Sequence, residues 1–145
     1  MTTSRLLALT FAFAFAAAPA AAQAPAPSVD YFVGSWANVT YNDNNDLPRM
    51  ITVARGYCNL PYRIERRSAD TFAMYVAENL REVRLMQQQG RVYIVPTEAE
   101  NNVLRGAREL TIRDQNTFML RYLENATHSR YGLNVFVRCG GQRRG

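Results

Sequence analysis

The chain has 145 residues, 48% of them hydrophobic, with one Trp and two Cys, a length that suits a single domain. All 17 basic residues are Arg, and the formal net charge is +5. They are scattered and interleaved with Glu, as in Arg63-Ile64-Glu65-Arg66-Arg67 and Arg81-Glu82-Val83-Arg84; such a pattern reads as solvated strand faces and lacks the clustered stripe a nucleic-acid partner requires.

The first 22 residues stand apart. Met1 to Arg5 carries a single positive charge, and Leu6 to Ala18 is apolar except for Thr10. Small residues then end the run at Ala20-Ala21-Ala22. This three-part pattern is that of a secretory signal, with cleavage expected after Ala22. The apolar run is shorter than the roughly 20 residues a membrane span requires, and no second run follows. No Cys lies near the cleavage site, so a lipid anchor is not expected. The chain is therefore read as a periplasmic or secreted protein without a transmembrane segment. Residues 23–29, with Pro25 and Pro27, read as an extended N-terminal arm. Residues 30–140 are the expected folded domain, and 141–145 a flexible tail.

Within the domain, short apolar or alternating segments are separated by turn signals. Tyr31 to Thr40 reads as the first strand and ends at the polar run Asn42-Asp43-Asn44-Asn45-Asp46. Arg49 to Ala54 is partly β-branched and reads as a second. Tyr62 and Ile64 alternate with Arg63 and Glu65, the period of a half-buried strand. Thr71 to Val76 follows, then Glu82 to Leu85, a turn at Gln87 to Gly90, and Arg91 to Val95. Glu98 to Arg105 suits a helical turn. Glu109 to Arg113 and Thr117 to Leu123 form two more strands about a turn at Asp114 to Asn116. A polar connection, Glu124 to Ser129, leads to the last strand, Gly132 to Arg138. About eight strands at this spacing, with no long helix, predict an all-β fold: a single small antiparallel up-and-down barrel. The expected inward side chains are Trp36, Ile64, Met74, Val83, Leu85, Val92, Ile94, Leu110, Ile112, Phe118, Leu120, Val135 and Val137.

The lone pair Cys58 and Cys139, in an exported chain, predicts a disulfide, two buried free thiols being the alternative. Asn42, Asn44 and Asp46 place oxygens at alternate positions, as at the start of a calcium loop, but the glycine and the bidentate Glu of such a loop are missing. They are weak metal candidates, and no metal or other cofactor is expected. His128 is the only His, and reads as a surface loop residue; no catalytic residue is assigned.

The segment Gly34-Ser35-Trp36, followed by short antiparallel strands and Arg138 near the end, resembles the lipocalin (calycin) superfamily of up-and-down barrels. The resemblance implies that Trp36 closes the barrel floor, that Arg138 packs across its indole, and that Gly34 allows a neighbouring backbone close approach. One branch, the periplasmic inhibitors of secreted metalloproteases, is similar in layout: a signal, an N-terminal arm, eight strands and one disulfide. Function is accordingly expected to be non-enzymatic, either binding of a small apolar ligand inside the barrel or interaction with a secreted or envelope protein. An enzyme would need acidic residues, Tyr and Arg to converge on His128 in a pocket.

Overall fold

The structure, a computed structural model, describes residues 27–42, 46–76, 79–99 and 106–140. The signal, most of the arm, Asn44 and residues 141–145 lie outside the described residues. Eight strands, β1 (Gly34–Tyr41), β2 (Tyr62–Arg66), β3 (Thr71–Val76), β4 (Asn79–Gln88), β5 (Arg91–Pro96), β6 (Arg108–Asp114), β7 (Thr117–Tyr122) and β8 (Leu133–Arg138), pair in sequence order. β8 returns to pair with β1, so the antiparallel barrel is closed. The β4–β5 hairpin turns at Gln89 (φ 50°) and Gly90 (φ 75°). Two successive residues of positive φ make the tight turn whose twist matches the flanking strands.

Two helices interrupt the meander: α1 (Leu47–Gly56), between β1 and β2, and α2 (Asn125–Tyr131), between β7 and β8. Both correct the sequence reading, which made Arg49–Ala54 a strand and Glu124–Ser129 a connection. Pro48 near the α1 N-terminus is pre-set for a helix start. Ile51 and Ala54 then fall on one face and are buried, although β-branched Ile51, Thr52 and Val53 read locally as strand. The first strand also begins later than expected, because Val29–Tyr31 forms a 3-10 turn ahead of it. Val29, placed at the end of the arm, is buried in the core.

The residue register defines two apolar layers. Inside the barrel, Phe32, Trp36, Ile64, Phe72, Met74, Val83, Ile94, Leu110, Phe118, Leu120 and Phe136 are buried, with Leu85 and Val92 packed against them. Outside, α1 lies on the outer face of β1 and β8, where Tyr41, Ile51, Ala54, Val135 and Val137 form a second cluster. Val135 and Val137 therefore do not point inward as expected. The helix makes both faces of β8 apolar, and the inward residues there are Asn134, Phe136 and Arg138. Ile112 keeps the inward parity, opposite Phe118, but sits at a register shift at the end of β6 and is exposed.

No described helix is long and apolar enough to cross a membrane.

Candidate functional site

The two ends of the barrel differ. The 3-10 turn, the start of β1 and the end of β8 close one end. There Trp36 is fully buried, its Nε1 donating to the Phe32 carbonyl at 2.6 Å. The Arg138 guanidinium lies 4.2 Å from the indole centroid, within cation–π range, and donates to the carbonyls of Val33 and Tyr31. Gly34 stands beside them at φ 139°, and a Cβ added there would come within 2.9 Å of the Arg138 Nη1. The glycine thus makes room for a side chain, where the resemblance implied a backbone. Tyr31 covers the cluster, its hydroxyl donating to the Asp114 carbonyl at 2.7 Å. Burial, opposed by Arg138, pushes its pKa up to about 12.

Above the floor, aromatic rings fill the barrel. Phe32 stacks on Phe72 at 4.9 Å, Phe118 stacks on Phe136 at 4.4 Å, and Trp36 meets Phe118 edge-on at 4.7 Å. The filling stops at Phe136. Beyond it the barrel opens into a cup of about 850 Å³, within the range of small-molecule sites, which run from roughly 300 to 1,000 Å³. The cup follows from the inward positions read from floor to mouth. On β1 they run Trp36, Asn38, Thr40; on β8, Arg138, Phe136, Asn134; on β6, Ile112, Leu110, Arg108. On β1 and β8 the rings of Trp36 and Phe136 give way to the short polar side chains of Asn38, Thr40 and Asn134, and on β6 Leu110 gives way to Arg108, so the apolar core ends before the strands do.

The cup has an aromatic base and a polar wall. Tyr62 and Phe136 form one side, their rings 6.0 Å apart and nearly perpendicular, and Tyr122 another. Asn38, Thr40 and Asn134 line the wall, and Arg130 and Tyr131 of α2 reach the rim. Arg108 lies in this lining and is 2% exposed. Its Nη2 approaches the Met74 sulfur at 3.5 Å, and its Cζ lies 5.8 Å from the Tyr122 ring centroid. Its Nε has no hydrogen-bond partner, and no carboxylate pairs with it among the described residues. Burial lowers its pKa, with the Tyr122 and Tyr62 phenols opposing the shift, yet an arginine stays protonated in proteins. Burial raises the Tyr62 pKa in turn, so its phenol remains a neutral donor.

The sequence-derived candidates fall elsewhere. Trp36, Gly34 and Arg138 meet at the floor. Cys58 and Cys139 are joined by a disulfide, Cα to Cα 5.3 Å, which ties the segment after α1 to the end of β8. Asn42, just after β1, and Asp46, just before α1, are exposed, and Asn44 lies outside the described residues. No group of three or more His, Cys, Asp or Glu able to hold a metal occurs among the described residues. His128 sits on α2, its Nδ1 buried without a partner, and it does not line the cup. The sequence reading missed Arg108, Tyr62, Tyr122 and Asn38. Their signal was present as polar residues at inward parity, Trp36-x-Asn38-x-Thr40 and Arg108-x-Leu110, but it is visible only once strand register is assigned.

A closed barrel with one filled end and one open end is compatible with a lipocalin-like fold and with ligand binding. Comparison with protein-family models, with curated proteins and with solved structures finds no match.

Proposed function

We propose that the chain is an exported, non-enzymatic binding protein that holds one small, largely apolar ligand in the barrel mouth. The observation that carries this reading is the cup itself: about 850 Å³ on the barrel axis, floored by Phe136 and walled by Tyr62 and Tyr122. Aromatic rings around a concave site, with a few polar groups to orient the guest, are the usual composition of such sites. The secretory signal pattern and the disulfide support an extracytoplasmic setting. The lipocalin-like ground plan, with an indole and a guanidinium sealing the floor, supports a carrier or sensor.

The neutral, apolar dye N-phenyl-1-naphthylamine tests the reading. It should brighten on binding the oxidised protein at one site, and Asn38→Trp, which plugs the cup, should abolish the signal. No brightening, or brightening that survives the plug, would overturn it.

A second reading, an interaction module such as a hydrolase inhibitor, is favoured by exposed apolar residues: Leu60, just before β2, is 83% exposed, and Leu80, next to the cup-lining Asn79, 52%. In that reading the mouth takes no dye.

A further inference from the structure

Arg108 is a fully desolvated cation whose electrostatic partners within the described structure are only phenols and a thioether. A buried charge is ordinarily paired, because leaving water without compensation is costly. Here β6 instead carries the guanidinium into the wall of an open cup and leaves its Nε without an acceptor. The described lining of the cup contains no carboxylate that could serve. The Nε is closed to solvent, so an acceptor entering from outside would reach the guanidinium only from the cup that Arg108 lines. The surroundings limit what that group is attached to. Tyr62 and Tyr122 neighbour the guanidinium and Phe136 shares the lining with them, and aromatic guests gain from offset and edge-on packing on such rings. The Asn and Thr wall above them is too polar for a long alkyl tail, and suits ring substituents that hydrogen-bond.

We propose that the mouth recognises a small aromatic carboxylate, with the carboxylate on Arg108 and the ring among Tyr62, Tyr122 and Phe136. This rests on the reading of the mouth as a ligand site. A single buried cation matches a single negative charge, and a planar guanidinium matches a carboxylate in two-pronged geometry. Tyr62 and Tyr122 have no hydrogen-bond partner for their hydroxyls among the described residues, so either can add a donor to the bound anion.

Calorimetry on the oxidised protein with a matched series of probes tests the proposal. 4-Hydroxycinnamate is compared with 4-hydroxycinnamyl alcohol, which keeps the aromatic ring and loses the charge, and with cyclohexanepropanoate, which keeps the charge and carries a saturated ring without the hydroxyl. The aromatic acid should bind about tenfold or more tightly than either, the worth of one charge-assisted hydrogen bond. Arg108→Gln should erase its advantage over the alcohol, and Arg108→Lys should restore part of it. Equal binding of acid and alcohol, tighter binding of the saturated acid, or an unchanged preference in Arg108→Gln would each overturn the proposal. The series on the unmodified protein decides the matter even if a variant does not fold. Dye binding in the cup without preference for the aromatic acid removes this proposal and leaves the binding-protein reading standing. Absence of binding by the dye and by every probe of the series removes both.

Discussion

Trp36, Arg138, Gly34 and Arg108 are each governed by what a single side chain touches. Trp36→Ala should cost about 3–5 kcal/mol, as loss of a buried aromatic does. Arg138→Ala should cost less, yet the two should be coupled in a double-mutant cycle, because the guanidinium lies 4.2 Å from the indole centroid. Urea denaturation of the four proteins measures the coupling, and additive effects would show that the stacking contributes nothing. Arg108→Met should behave in the opposite sense. The guanidinium has no ionic partner, so an apolar side chain of similar length should leave stability unchanged or raise it by up to about 2 kcal/mol. A clear loss in the same urea experiment would make Arg108 a structural residue. Tyr31 contributes to the alkaline limit, together with Tyr41 and Tyr62, whose pKa values burial also raises. The Tyr31 pKa, pushed up to about 12 in the folded protein, exceeds the value of about 10 in an unfolded chain. Below pH 10 the phenol is protonated in both states and contributes no pH dependence. From about pH 10 to 12 the unfolded state releases the proton first, so stability falls as pH rises. Urea midpoints across that window should decline less steeply in Tyr31→Phe.

Strands and helices differ in how far they could be read from local pattern. β2 and β6 alternate cleanly, and their inward residues Ile64 and Leu110 were legible because the residues between them are polar; Phe118 and Leu120 of β7 were legible by the same period, although Thr117 is buried and Met119 packs on the outer cluster. β8 was legible as a strand but not in orientation. Its alternation of Leu133, Val135 and Val137 is real, but it faces α1, and an outer helix erases the contrast that marks the inner face. α1 itself was hidden by its β-branched residues, since its helical face becomes evident only with Val135 and Val137 in place to cover it. The disulfide was legible from the signal-like N-terminal pattern and the cysteine count alone. Its two cysteines are 81 residues apart, and the chain-entropy treatment assigns about 4–5 kcal/mol to closing so long a loop. The double variant Cys58→Ala, Cys139→Ala should therefore unfold at markedly lower urea concentration, with α1 losing amide-exchange protection before the strands do. Equal protection of helix and barrel in that variant would mean that packing alone holds α1.

At the scale of the whole molecule, the barrel is an aromatic plug with a cup above it. Its overall class was readable from strand spacing, whereas the cup was not, because its existence depends on where inward side chains become short, and that requires all eight registers at once. The closed sheet has a consequence for the order of events in folding. Seven of the eight pairings join strands that follow one another along the chain, and only β1 with β8 unites distant segments. The meander can therefore grow hairpin by hairpin, while the last seam waits for β8 and carries most of the loop-closure entropy. Until it shuts, β1 and β8 each present an unpaired backbone edge, and in a chain without β8 the open edges are those of β1 and β7. A chain ending at residue 131 should accordingly self-associate through those edges, visible as oligomers by light scattering, whereas the full chain stays dispersed. The disulfide spans the same seam, so its formation works as a latch on a ring that is already closing, and early oxidation would bring the two halves of the latch together before the hairpins between them are complete.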